Sequence, residues 1–335
     1  MRVRLTQLDG SLPNLALMKL SHWHKSLGHE VVLTKEVHRG LFEEDYDKVY
    51  GSAIFKFSQE RLMRFQREWP GAMVGGTGTP YPWTVEEVIG SEYEHYDYSG
   101  YPEVDFSIGF TQRGCRLKCK FCVVPTKEGK PRSTNSIANL WRGDPWPKKL
   151  HILDNDFFGN PEWRERIAEI REGDFRVCLS QGINVRLINE EAAAAIATIE
   201  YRDTKFQRRR LYTAWDNLKD EGIFFKGVDM LERAGVPATN LMVYMLVGYD
   251  KAETWERIWH RFNRMVARGV RPYPMVFDRS RQDLCAFQRW VNTGLYRACT
   301  WTEFESRLKS PESEAAYAHL PHRPKLALAP PEISP

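Results

Sequence analysis

Apolar positions along the first ninety residues fall into short runs of two alternating kinds. Residues 3–8, 30–34, 48–54 and 72–74 are compact and β-prone, whereas residues 13–27 and 59–69 between them place apolar side chains near helical spacing. In the first helical stretch Leu15, Met18, Leu20 and Trp23 form the apolar face and Gly28 stops it. This rhythm predicts a small doubly wound, Rossmann-like parallel sheet over residues 1–90, ending in Gly75-Gly76-Thr77-Gly78. Residues 91–103 are rich in Tyr and Glu, lack an apolar period and read as a linker.

The alternation restarts at residue 104. β-prone runs at 104–110, 150–153, 176–180, 210–214, 241–247 and 275–277 each end in polar residues, and helical stretches at 161–170, 190–199, 223–234 and 254–267 fill most of the gaps. Asn160 can cap the first of these and Pro161 suits its first position. Six strand–helix units predict an α/β partial (β/α)6 barrel over 104–280, with its chemistry at the carboxyl ends of the strands. Residues 281–335, with a Pro-rich tail from 311, are expected as a C-terminal extension.

Composition narrows the class only a little. The 335 residues are 42% apolar and 27% charged, as in an ordinary globular chain with a full core. A net charge of +4 permits an anionic substrate without marking a nucleic-acid protein. The run Gln207-Arg208-Arg209-Arg210 reads as a solvated strand edge more readily than as a phosphate cradle. The first residues hold no apolar signal core and no stretch reaches the roughly eighteen apolar residues of a membrane span, so the expected place is the cytoplasm, without a membrane partner.

The cysteines change the picture. Cys115, Cys119 and Cys122 stand in the run Gly-Cys-Arg-Leu-Lys-Cys-Lys-Phe-Cys, directly after a predicted strand. Three closely spaced thiolates can hold three irons of a cubane cluster and leave the fourth open to a ligand. Zinc sites instead combine a close cysteine pair with a second ligand pair, and the nearest histidines, His95 and His151, stand outside the motif. Arg116, Lys118 and Lys120 between the cysteines argue against a buried inert strand. Cys178 sits in an apolar run as a core residue, and Cys285 and Cys299 lack ligand spacing.

The C-x3-C-x-Phe-C spacing resembles the signature of the radical SAM superfamily, and its flanks, Phe110-Thr111-Gln112-Arg113-Gly114 before and Val123-Val124-Pro125 after, look most like the methylthiotransferase and cobalamin-type branches. The resemblance implies a 4Fe-4S cluster on the three cysteines, S-adenosyl-L-methionine chelated at the open iron, and reductive cleavage to a 5'-deoxyadenosyl radical that abstracts hydrogen from a substrate. It implies a reductant such as flavodoxin or ferredoxin. It places Phe121 near the adenine, Asp154 and Asn155 near the amino end of the cofactor and Gly248 on the adenine side, and Ser180 and Arg186 stand in a stretch similar to the family's glycine-plus-arginine segments, where Arg186 could pair with the carboxylate. Trp215, at a strand end, reads as a stacking platform or, more readily, as a core-capping side chain. At the fifth strand, Asp250-Lys251-Ala252 replaces the customary Pro-Gly before Glu253-Thr254.

The order of elements in residues 1–90 resembles the cobalamin-binding-type domain that precedes many radical SAM cores. The cobalt-ligating Asp-x-His-x-x-Gly pattern is absent, however: the chain reads Asp9-Gly10-Ser11-Leu12-Pro13-Asn14. The expectation for cobalamin therefore leans towards its absence, and methyl transfer after hydrogen abstraction depends on it. Two rivals stay open. One is a tRNA methylthiotransferase-like modification enzyme, against which residues 1–90 lack cysteines for a second cluster. The other is a non-catalytic zinc- or nucleic-acid-binding module. The substrate itself is not legible, and nucleic acid is not excluded.

Overall fold

In the computed structural model, which describes residues 1–81 and 83–308, the chain divides into two units. The first is Met1–Gly109 with Asp144–Pro147; the second is Phe110–Gly143 with the chain from Lys148 onward.

In the first unit β1 (Arg2–Gln7), β2 (Glu30–Thr34), β3 (Lys48–Ser52) and β4 (Met73–Gly75) pair in parallel in the order β2–β1–β3–β4. Both faces are covered, as a parallel sheet requires. Val3, Leu5 and Tyr50 pack with Leu17 and Leu20 of the helix Leu15–Ser26, while Ala53 and Val74 pack with Leu62 and Phe65 of the helix Gln59–Glu68. Asn14 caps the first helix by accepting the Leu17 N–H at 3.2 Å. The segment 91–103 carries neither helix nor strand and is bonded into this unit. Glu94 meets the buried Lys19, Asp97 accepts from Ser21 and Lys25, and the buried Tyr101 hydroxyl donates to Gln7. A short strand, β5 (Ser107–Gly109), closes the unit.

The second unit opens on the antiparallel pair β6 (Gln112–Arg113) and β7 (Arg132–Ser133), between which lies the cysteine loop. Its remaining strands are parallel: β8 (Lys149–Ile152), β9 (Arg176–Cys178) and β10 (Glu200–Tyr201) in one group, β11 (Leu211–Ala214), β12 (Leu241–Val247) and β13 (Arg271–Val276) in another. The Ile183 N–H donates to the Tyr212 carbonyl at 2.7 Å, so the chain leaving β9 is bonded to β11. The coarse α/β expectation holds. The strand hydrogen bonds form two parallel groups, with β10 added to the edge of β9 where the sequence shows no apolar run.

β12 alternates strictly, with Leu241, Val243, Met245 and Val247 buried and the residues between them half-buried. β13 begins at Arg271, four residues before the predicted start. Its sequence Arg-Pro-Tyr-Pro-Met-Val lacks two N–H donors, which an edge strand tolerates. The helix after β8 runs Trp163–Glu172 rather than from Pro161, because Phe157–Gly159 forms a tight turn first and the Asn160 side chain accepts from Glu162 within the lead-in.

Part of the expected C-terminal extension is core. The helix Gln282–Asn292 buries Leu284, Phe287, Trp290 and Val291, and Phe287, Trp290 and Trp301 form an edge-to-face cluster with Trp259. The Pro-rich tail lies outside the described residues.

Candidate functional site

Residues 114–128 leave β6 as a loop held from several sides. Gly114 adopts φ 85°, and a Cβ there would fall 2.3 Å from the Lys130 carbonyl oxygen, so only glycine allows the two chain segments to pass. Glu128 accepts the Gly114 N–H at 3.0 Å, pairs with Arg113 at 3.1 Å and accepts from Asn155 at 3.0 Å. Asp156 is fully buried and grips Arg116 with both oxygens, at 2.7 and 2.8 Å, while also accepting the Arg116 backbone N–H. The loop that carries the cysteines is thus bonded to the chain following β8.

Cys115, Cys119 and Cys122 are unpaired, half-buried thiols on that loop. Burial raises the pKa of Cys115 and Cys122 above the ordinary thiol value. Cys115, Cys119, Phe121, Cys122, Asn155, Gln181, Asn184, Arg186 and Asp216 line a recess of about 210 Å³. Cys119, Phe121, Arg186 and Asp216 also border an adjoining cavity of about 920 Å³, walled further by Leu246, Tyr249, Glu253 and Phe277. Every one of these walls except the cysteine loop is a segment that leaves the carboxyl end of a parallel strand.

Arg186 is the cation of the site. Its burial weakens the charge, but Asp220 at 2.7 Å and the sulfur of Cys119 hold it, and the balance lies above the ordinary guanidinium value. Its Nε, and Nδ2 of Asn184, are buried without a hydrogen-bond partner among the described residues. Phe121 meets Tyr249 edge to face at 5.4 Å, and Tyr249 meets Phe277 at 4.9 Å, giving an aromatic wall along one side of the larger cavity.

Three of the expected site residues lie elsewhere. Asp154 is buried, and its carboxylate accepts the N–H groups of Thr111 and Gln112 at 2.7 and 3.1 Å together with the Thr111 hydroxyl. It pins the chain that leads into the cysteine loop, and burial pushes its pKa up to about 7. Trp215 is fully buried, stacked on Phe224 at 5.3 Å with its N–H donating to the Asn217 carbonyl, so it has no face for a ligand. The side chain that does reach the cavity is its neighbour Asp216, whose pKa burial raises and which accepts the Leu246 N–H at 2.9 Å. Ser180 faces His151, its hydroxyl 2.6 Å from Nε2, and its carbonyl accepts from Tyr244. It supports the strand ends and does not line the cavities.

Gly248 lines neither of these cavities but a third of about 520 Å³, which shares Tyr249, Glu253 and Phe277 with the larger one; it has φ 78° and its N–H donates to Glu253 at 2.9 Å. Glu253 in turn pairs with Arg261, a buried cation that donates to the carbonyls of Trp215, Asp216 and Leu246. One arginine therefore ties together the ends of β11 and β12. No spacing rule marks Arg261; its helical position one turn after Arg257 looks like any amphipathic surface. Asp216 could have been preferred to Trp215, since the apolar residue at a strand end tends inward and the carboxylate after it tends out.

The three thiol sulfurs do not all lie within 4.8 Å of one another. A tetrahedral zinc with Zn–S of about 2.3 Å would draw its sulfurs to within about 3.8 Å of one another. Among the described residues the only three metal-ligating side chains within 4.8 Å of one another are Glu86, Glu92 and Glu94, in the first unit.

The carboxyl edge of the first unit's sheet does not fit a corrin ring. Asp9 accepts the N–H groups of Ile54 and Phe55 at 2.8 and 2.9 Å, and Gln7 donates to the carbonyls of Asp9, Gly10 and Leu12. Added Cβ atoms on Gly76 and Gly78 would fall 2.2 Å from the Ala53 oxygen and 2.5 Å from the Phe55 oxygen. The glycines serve the approach of two loops of the protein to each other, with the Gly78 N–H donating to Ala53.

Among the described residues no helix is long and apolar enough to cross a membrane. No protein-family model matches the chain, and neither does any curated protein or solved structure.

Proposed function

We propose that the second unit is the catalytic body of a radical SAM enzyme, with Cys115, Cys119 and Cys122 as ligands of a 4Fe-4S cluster and S-adenosylmethionine in the cavity beside it. The observation that carries the reading is the convergence of three free thiols, Arg186 and Asn184 on one recess at the carboxyl ends of parallel strands. Bound there, the cluster would supply the electron that cleaves the sulfonium.

The chain's own groups have separable tasks. Arg186 sets a cation between Cys119 and Asp220, where a carboxylate could be held by a charge-assisted bond. Asp216 offers an anion across the same cavity, and Phe121 with Tyr249 offers apolar surface for a purine. The aromatic wall would present apolar surface beside the space where a substrate C–H bond would lie. In the finer form of the reading, the parallel strands β8, β9, β11, β12 and β13 of the second unit belong to one partial barrel and the enzyme works in the cytoplasm with a flavodoxin- or ferredoxin-type reductant. Because the first unit does not fit a corrin ring, no methyl transfer through cobalt is derived.

Metal analysis of protein prepared without oxygen tests this. About four irons per chain with a visible charge-transfer band, and 5'-deoxyadenosine formed from S-adenosylmethionine under reduction, are expected. Stoichiometric zinc without iron would overturn the reading in favour of a zinc module.

A further inference from the structure

Lys118 and Lys120 of the cysteine loop, Lys219 after β11 and Lys251 after β12 all line the larger cavity, and all four are exposed. Among the described residues none of them enters an ion pair. The carboxylates nearby are engaged: Asp220 with Arg186, Glu253 with Arg261, and Asp216 with the Leu246 N–H. Asp250, on the exposed side, accepts the Ala252 N–H. Two of these carboxylates, Asp220 and Glu253, are paired with arginines, whereas Asp216 and Asp250 keep their charge, so four unpaired lysines stand against two carboxylates and the surplus is cationic.

Beside these lysines Phe277 is 54% exposed, held edge to face by Tyr249. A large ring left in water next to unpaired ammonium groups matches a ligand that is anionic along one edge and flat along another. Phosphate and base together have that form, and base–aromatic stacking with backbone-tracking cations is how single strands are held. An acidic peptide would satisfy the lysines and leave the ring unused. A duplex would keep its bases stacked on one another and leave no base face for the ring.

We propose that the mouth of this cavity binds a single-stranded polynucleotide, with its phosphates on Lys118, Lys120, Lys219 and Lys251 and one base against Phe277. This names the substrate class of the proposed radical site and rests on that reading only for the reaction that follows binding.

Fluorescence anisotropy of a labelled twelve-nucleotide single-stranded RNA of mixed sequence tests it on the full chain. Four phosphate contacts predict a slope of log K against log salt near ~−3, or roughly a fifty-fold loss of affinity between about 50 and 200 mM salt. The double variant Lys219→Glu/Lys251→Glu should lower affinity at least tenfold, on the order of two phosphate contacts. It should also roughly halve the slope. Phe277→Ala should cost about tenfold with the slope unchanged. Salt-independent binding, equal binding to a duplex of the same length, or indifference to the charge reversals would each overturn the proposal. A mononucleotide that competes as well as the strand would overturn it in favour of a free nucleotide. Iron content and 5'-deoxyadenosine formation are measured on the same preparation. If strand binding fails while these persist, this inference alone falls; if they fail while binding persists, the radical reading falls.

Discussion

At the carboxyl edge of the first unit's sheet, Asp9, Gln7 and Asn14 bond to the loops Ile54–Phe55, Asp9–Leu12 and Ser52, and two glycines bring backbone against backbone. At the corresponding ends of the second unit's strands, Asp154, Asp156 and Arg261 do the same work one layer beneath the surface. Above them, three thiols outside any disulfide face the cavities, and four exposed lysines enter no ion pair among the described residues. The two units use the same classes of polar residue at strand ends. What separates a closed edge from a candidate site is whether the polar groups that face outwards have been satisfied by the fold.

The largest expected effect that sharpens this contrast is at the thiols. Cys119→Ala should abolish 5'-deoxyadenosine formation and lower the iron bound by anaerobic protein, while Cys178→Ala, in the buried core, should leave the iron count unchanged. Undiminished cleavage by the Cys119 variant would remove the contrast altogether.

Next in size are the glycines, which hold chain crossings in both units. Gly76→Ala meets the Ala53 oxygen from a positive φ and should cost about 2–4 kcal/mol, seen as a lower thermal transition with iron binding retained. Gly114→Ala meets the Lys130 oxygen in the same way and should instead lower iron occupancy. If Gly76→Ala also stripped iron, the first unit's edge would be part of the site.

Much of this was legible before the structure. The order and type of the main parallel strands and the helices between them followed from the apolar periods, and the spacing of Cys115, Cys119 and Cys122 pointed to the loop that lines the recess. The misreadings share a cause: side chains at a strand end alternate between core and cavity, and sequence alone does not say which comes first. Trp215 was named where Asp216 reaches the cavity, and Asp154 was read as a ligand group, because ligand chemistry was weighed without the buried backbone N–H groups that had to be satisfied. β13 began four residues early because prolines read as a break, although they sit on an edge strand. The aromatic helices after residue 281 were hidden by the Pro-rich tail beyond them.

Acid should weaken both units within one pH window. His24 in the first unit and His151 in the second are fully buried, and burial lowers each pKa to about 4 from an ordinary value near 6.5. The unfolded chain takes up those protons first, so each contribution is whole above about pH 6.5 and is lost as pH falls towards 4, by up to about 3 kcal/mol per histidine. Urea unfolding at two pH values measures this. His24→Gln should flatten the acid response of the first unit alone, since its partners His29 and Tyr50 belong to that unit. A response unchanged by this variant would place the acid sensitivity in groups other than His24.

The smallest effect concerns the edge that is closed. Asp9 accepts two backbone N–H groups at 2.8 and 2.9 Å, and Asp9→Ala should cost about 1–2 kcal/mol, less than a fully buried charged acceptor because the residue is half-exposed. Calorimetry should show the first unit's transition lowered and the second unit's unmoved. If the carboxylate also keeps a ligand out, the variant offers a discriminating control, because removing it frees two N–H donors beside Gly10. Cobalamin added to the wild type and to Asp9→Ala should bind neither, since the backbone crossing at Gly76 and Gly78 closes the edge without Asp9. Stoichiometric cobalt in the wild type would show that this edge opens in solution. The contrast between the two units would then be one of conformation rather than of sequence.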